Sequence, residues 1–170
     1  MGFPVKQVHP PEKAKPLCPT SGKVLLLGLG NELLADDAVG LLVARKLEKR
    51  LAGHPGICVM ATEESGLSLL DMVVGFDRLV VVDAIQTGQS APGTIHVITQ
   101  EDLGRIPLVS PHFVGLAEML DLGRRLGFHM PEDIAIFAIE VQDVQTICKG
   151  MTATVRAAMP GIITRVEAAI

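Results

Sequence analysis

The chain is predicted to fold as an α/β protein: a three-layer α/β/α sandwich whose mostly parallel, twisted sheet of about five strands carries helices on both faces. Three observations predict this. Short apolar runs alternate with segments of helical period in the order β-α-β-α-β-β-α-β-α. The runs are apolar at nearly every position rather than at every second one, which suits strands buried on both faces. The 170 residues, 48% hydrophobic and 20% charged, supply enough apolar material for one sizeable core.

Residues 1–22 read as a Pro-rich N-terminal leader, and residues 23–170 as a single domain. Lys23–Gly28 is a short apolar run ending in glycine, a buried parallel strand. From Asp36 the period changes: Val39, Leu42, Val43, Leu47 and Leu51 recur at helical spacing, with Asp36 or Asp37 as N-cap and Lys46, Lys49 and Arg50 at the C-terminal end. Ile57–Ala61 is a strand, Leu67–Val74 a helix and Leu79–Asp83 (LVVVD) a strand. Thr94–Ile98 is a further strand whose His96 points away from Ile95 and Val97. Phe113–Leu126 is a helix with Leu116, Met119 and Leu120 inward and Gly127 as C-cap. Ile134–Val141 is a long apolar strand, and Thr152–Ile170 a final helix with a kink expected at Pro160.

Composition excludes several functions. A formal net charge of −4 argues against a general nucleic-acid binder. Gly, Asp or Arg interrupts every hydrophobic stretch, so no membrane span is expected. Residues 1–20 lack the continuous apolar stretch of a signal peptide. Cys18, Cys58 and Cys148 are far apart and form no CxxC pair. They are expected to be reduced thiols of a cytoplasmic protein, packed as small hydrophobes. A monomer is expected.

Ligands of open α/β sheets bind outside the carboxyl ends of the strands, so polar residues just after apolar runs are the informative ones. The segment Gly28–Gly40 opens like a dinucleotide fingerprint, but Leu33 stands where the third glycine belongs and there is no Walker lysine. Gly28 and Gly30 are read as permitting a tight turn, with Asn31 tying it through its side chain. Of Asp36 and Asp37, one suffices as a cap while the other faces the cleft. Asp83 ends an apolar strand, where a desolvated carboxylate is costly unless paired, hydrogen-bonded or metal-bound. His112 follows Ser110 and Pro111 at a helix start, whose dipole favours the neutral imidazole that metals bind.

Asp37, Asp83 and His112 would thus stand in loops at one edge of the sheet. Two carboxylates and one imidazole with open positions make a transition-metal site able to accept an outside ligand, without specifying nickel, zinc or iron. A Ser–His–Asp triad is the competing chemistry, but no G-x-S-x-G elbow is present. Glu63 and Glu64 are read as a solvated helix start that could line the cleft, Glu140 and Gln142 as its rim, and His9, His54 and His129 as exposed.

The pattern G-x-G-N-x-L-x-x-D-[DE]-x-x-G, met as Gly28 through Gly40, resembles the opening of the nickel–iron hydrogenase maturation proteases. LVVVDAI (79–85), APGT (91–94) and SPHFVGL (110–116) follow in that family's order and spacing, so the resemblance spans roughly residues 23–170. It implies a cytoplasmic endopeptidase that removes the C-terminal extension of a hydrogenase large-subunit precursor after nickel insertion. It also implies that Asp37, Asp83 and His112 form the metal-binding and catalytic triad, the nickel being supplied by the precursor. A metal-sensing chaperone of the precursor would need the same triad, and a nucleotide-binding Rossmann-like domain is the remaining alternative. Two departures stand out: the position of Asp37 is often Glu in the family, and Thr62-Glu63-Glu64 replaces a frequent Gly-Gly-Thr. The second bears on which large subunit is served.

Overall fold

The computed structural model describes residues 23–99, 102, 115–147 and 150–170. Strand β1 (Val24–Leu29) lies between β2 (Ile57–Thr62) and β3 (Arg78–Ile85), parallel to both. Strand β5 (Asp133–Glu140) pairs parallel to β3, and β4 (Ile95–Thr99) closes that side antiparallel to β5. The strand order is β2-β1-β3-β5-β4, and the five strands with mostly parallel pairing are as predicted.

Continuous apolar runs feed two cores at once because successive side chains point to opposite faces. Leu25, Leu27 and Leu29 of β1, with Leu79, Val81 and Ile85 of β3, face one core. Leu26, Val80, Val82 and Ala84 face the other. Helices α1 (Val39–Arg50) and α4 (Ala153–Glu167) cover the second face through Val39, Val43, Leu47, Val155, Ile162 and Val166. The short α2 (Leu70–Val73) and α3 (Leu116–Arg125) cover the first through Val73, Leu116, Met119 and Leu120. Each such aliphatic side chain, fully buried, contributes about 1.5–3 kcal/mol.

Several expected details change. The helix expected from Asp36 begins as a 3₁₀ turn, Asp36–Ala38, and neither acid caps it, because both side chains are engaged elsewhere. The helix expected at 67–74 splits into a 3₁₀ turn, Gly66–Leu69, and the single α-turn of α2. Helix α4 runs unbroken from Ala153 to Glu167 through Pro160. Gly127, at φ 75°, ends α3 as predicted, its N–H bonding the Arg124 carbonyl while Phe128 N–H reaches that of Gly123. Cys58 is disulfide-bonded, against the expectation of three reduced thiols, and both other cysteines lie outside the described residues. No helix among the described residues is long and apolar enough to cross a membrane.

Gly28 does more than permit a turn, and Gly40 acts with it. A Cβ on Gly28 would strike the Gly40 carbonyl and the Ala44 methyl, and one on Gly40 would strike the carbonyls of Leu29 and Val82. The missing side chains let α1 settle directly on β1 and β3 at the edge where the strands end.

Candidate active site

Crossovers from β1 leave in opposite directions: α1 leads outward to β2, and α2 returns past β1 to β3. The carboxyl ends of β1 and β3 therefore flank a topological switch point, the usual crevice for a ligand in such a sheet. Asp37 belongs to the segment after β1 and Asp83 to the end of β3. The Asp36–Ala38 turn packs against β3, and Gly40 approaches the Val82 carbonyl one residue before Asp83. The structure thus brings the segments carrying Asp37 and Asp83 to the same crevice. Both side chains are buried, at 5% and 0% exposure. His112, with Ser110 and Pro111, lies outside the described residues, and α3, which follows them, begins beside Gly66 at this edge. Among the described residues no three His, Cys, Asp or Glu gather as a metal-holding group.

A carboxylate at the end of a buried strand loses hydration and must recover hydrogen bonds locally. Asp83 Oδ1 accepts the N–H of Ala84 at 2.8 Å. Alternation along β3 points the Asp83 side chain to the face covered by α2 and α3.

Asp36 does not serve as the expected N-cap. Asp36, fully buried, accepts the N–H groups of Gln142 (3.1 Å), Asp143 (3.0 Å) and Thr152 (2.7 Å) and the Thr152 hydroxyl (3.0 Å). Its own N–H donates to the Asp143 carbonyl at 2.8 Å. The carboxylate therefore clamps the β5–α4 connection and the residue that opens α4, rather than capping its own helix. Sequence reasoning missed this role: the partners lie 106 to 116 positions away, so no local pattern announces them.

The loop after β1 is fixed from both sides. Asn31 Oδ1 accepts the Leu33 N–H at 2.9 Å, the side-chain tie expected of it. Glu63, expected to be a solvated helix start, accepts the Glu32 N–H at 3.0 Å and joins the loops after β1 and β2. Glu32 is also ion-paired with Arg45 of α1. Glu64 is exposed, its N–H bonded to the Thr62 hydroxyl at 3.1 Å.

Glu140, expected on the rim, is buried structure instead. It accepts the Thr87 hydroxyl (2.7 Å), the Thr87 N–H (2.9 Å) and the Gly88 N–H (2.9 Å), and lies 3.4 Å from His96 Nε2. Burial opposes its ionisation, but the Thr87 hydroxyl, the two N–H groups and His96 together hold its carboxyl below the ordinary glutamate value. His54 is exposed, and exposed His129 is paired at 2.8 Å with Asp77. The Asp77 carboxyl is lowered by the Lys23 N–H first and His129 second.

A family model described as hydrogenase maturation protease matches residues 41–169. That span includes Asp83 and His112 and begins just after Asp37. The chain is 29% identical over 150 residues to the hydrogenase 2 maturation protease of Escherichia coli (strain K12), covering 87% of this chain and 90% of that one. It is 29% identical over 148 residues to the hydrogenase expression/formation protein HupD of Rhizobium leguminosarum bv. viciae, covering 85% and 72%. Among solved structures, the hydrogenase maturating endopeptidase HybD of E. coli superposes with a TM-score of 0.71 at 31% identity, over 86% of this chain and 91% of that one. The [NiFe] hydrogenase maturation protease HybD of Thermococcus kodakarensis gives 0.66 at 25% identity, over 86% and 98%.

Proposed function

Since the chain belongs to the hydrogenase maturation protease family, we propose that it is an endopeptidase that removes the C-terminal extension of a nickel–iron hydrogenase large-subunit precursor in the cytoplasm, after nickel insertion. The observation that carries the reading is the placement of Asp37 and Asp83, two buried carboxylates from separate segments, at the switch-point crevice. Carboxylates held out of water at a ligand-binding edge suit a cation that arrives with the substrate.

On this reading the nickel belongs to the precursor, and Asp37, Asp83 and His112 contact it when the precursor docks. Docking fixes the scissile bond next to the ion, which converts an encounter of two large molecules into a local step. A divalent ion polarises a carbonyl or lowers the pKa of a bound water, and a neighbouring carboxylate takes the proton released. The Asp36 clamp and the Asn31 turn hold the loop that presents Asp37, so little reorganisation is needed at that moment.

The test is incubation of the purified protein with nickel-loaded precursor, followed by mass spectrometry of the large subunit. Loss of the extension is expected with the wild-type chain. Asp37→Ala, Asp83→Ala and His112→Ala are expected to leave the precursor intact. An untouched precursor with the wild type would sink the protease reading and favour a chaperone. Normal processing by Asp37→Ala or His112→Ala would overturn the site assignment alone.

A further inference from the structure

Strand β4 forms one edge of the described sheet. Along it runs a groove of about 480 Å³, lined by Ile85, Thr87, Gln89 and Ser90 together with residues 95–98. β4 meets β5 antiparallel, Ile95 opposite Ile139 and Val97 opposite Phe137, and the Glu140 N–H donates to the Thr94 carbonyl at 2.8 Å. Counting on from that bond, the backbone groups of Thr94, His96 and Ile98 point to β5, and those of Ile95 and Val97 point outward, away from it. At Thr99 the edge is closed, because its N–H and hydroxyl both donate to Asp102, at 3.0 and 2.8 Å. Val97 is 47% exposed although it lies on a strand. Outward N–H and C=O groups beside an apolar groove are the template on which an extended peptide adds as a further strand.

The groove is continuous with the candidate active site. Asp83, Ala138 and His96 stand in one register row across β3, β5 and β4. Strands lie about 4.8 Å apart, so a segment outside β4 runs about 14 Å from β3. An extended chain advances about 3.3 Å per residue, and about four residues cover that distance.

We infer that this groove holds the distal part of the substrate's C-terminal extension, added to β4 as a strand from about the fourth residue beyond the scissile bond. The inference rests on the proteolytic reading above. The extension is the natural occupant because the row Asp83–Ala138–His96 joins the candidate active site to β4 within a few residues of extended chain. Its backbone bonds Ile95 and Val97, an apolar side chain sits beside Ile95 and Val97 on one face of the strand, and Thr87, Gln89 and Ser90 receive polar groups. The groove thereby sets which extension is accepted, apart from the metal-contacting acids.

Two variants outside the candidate active site test this. Val97→Pro removes an outward N–H without touching the bonds to β5, and Ser90→Phe fills the groove from its loop. With nickel-loaded precursor, each is expected to raise KM about tenfold, the size of one or two lost hydrogen bonds, with kcat unchanged within about twofold. A precursor truncated about four residues after the scissile bond should be cut by wild type and both variants alike, at the raised KM. A synthetic peptide of the extension should slow amide exchange at Ile95 and Val97 of the wild type, and should slow it at Ile95 much less in Ser90→Phe. Unchanged KM in both variants, a truncation without effect, or no protection at Ile95 would each overturn the inference while leaving the protease reading standing. A wild-type chain that binds the peptide at β4 but never cuts the precursor would overturn the protease reading instead.

Discussion

Replacing Asp36 by alanine should unfold the protein at markedly lower temperature, whereas the same change at Asp37 should not. The Asp36 carboxylate accepts four hydrogen bonds from Gln142, Asp143 and Thr152 and is wholly buried. Alanine would leave three backbone N–H groups and a hydroxyl without their acceptor. A buried group stripped of its partner costs about 1–3 kcal/mol. The donors sit on a partly exposed loop where water can reach some of them, and the Thr152 hydroxyl can turn, so the lower end applies. About 1 kcal/mol for each N–H gives a loss of about 3–4 kcal/mol. For a chain of this size that lowers Tm by roughly 10 °C. Asparagine keeps one acceptor oxygen but turns an NH₂ toward N–H donors, for a loss of about 2–3 kcal/mol. Asp37 is assigned to the substrate rather than to the fold, so Asp37→Ala should lose clearly less stability than Asp36→Ala. Thermal and urea unfolding followed by circular dichroism measure all three. A loss under about 1 kcal/mol for Asp36→Ala, or equal losses for the two alanine variants, would refute the assigned division between clamp and site.

Gly40→Ala should prevent stable folding, because its Cβ would meet the Leu29 and Val82 carbonyls, which are sheet backbone and cannot withdraw. Soluble yield and near-ultraviolet dichroism report it, with Gly53→Ala, open in space but at φ 81°, as a control losing only about 1 kcal/mol. Glu140 has a folded-state pKa below its unfolded value, so its contribution is present above the ordinary glutamate pKa of 4.5 and is lost as pH falls through the lower folded value. Glu140→Gln should therefore flatten the fall of urea-unfolding stability below about pH 4.5; an unchanged acid limb would contradict it. Glu63→Ala frees the Glu32 N–H and should cost about 1 kcal/mol or less at this exposed position, measurable as a small shift in urea midpoint.

The sheet was legible because its strands are almost uninterrupted apolar runs, and their order with the intervening helical periods leaves few right-handed topologies. The placement of Asp83 was legible in part: LVVVD puts a carboxylate near the carboxyl edge, but β3 runs on to Ile85, so Asp83 is paired within the strand. Two features were illegible for a physical reason. The Asp36 clamp depends on donors more than a hundred positions distant, and an aspartate next to a helix start has the same local signature whether it caps that helix or not. Glu140 reads as a rim residue because it ends a strand, but the Thr87–Gly88 turn folds over it and supplies three donors. Gly28 was half legible: it reads as permitting a turn, while the direct seating of α1 on two strands through Gly28 and Gly40 is visible only in three dimensions.

The site and the fold constrain each other through one loop. Asp37 is presented by the segment between β1 and α1, and three separate devices fix that segment: the glycine contacts with β3, the Asn31 turn and the Asp36 clamp on the β5–α4 connection. The clamp closes over the longest sequence separation of the three, so it forms only when β5 and α4 have packed. The segment that carries Asp37 thus reaches its place against β3 as a consequence of complete folding rather than of local structure.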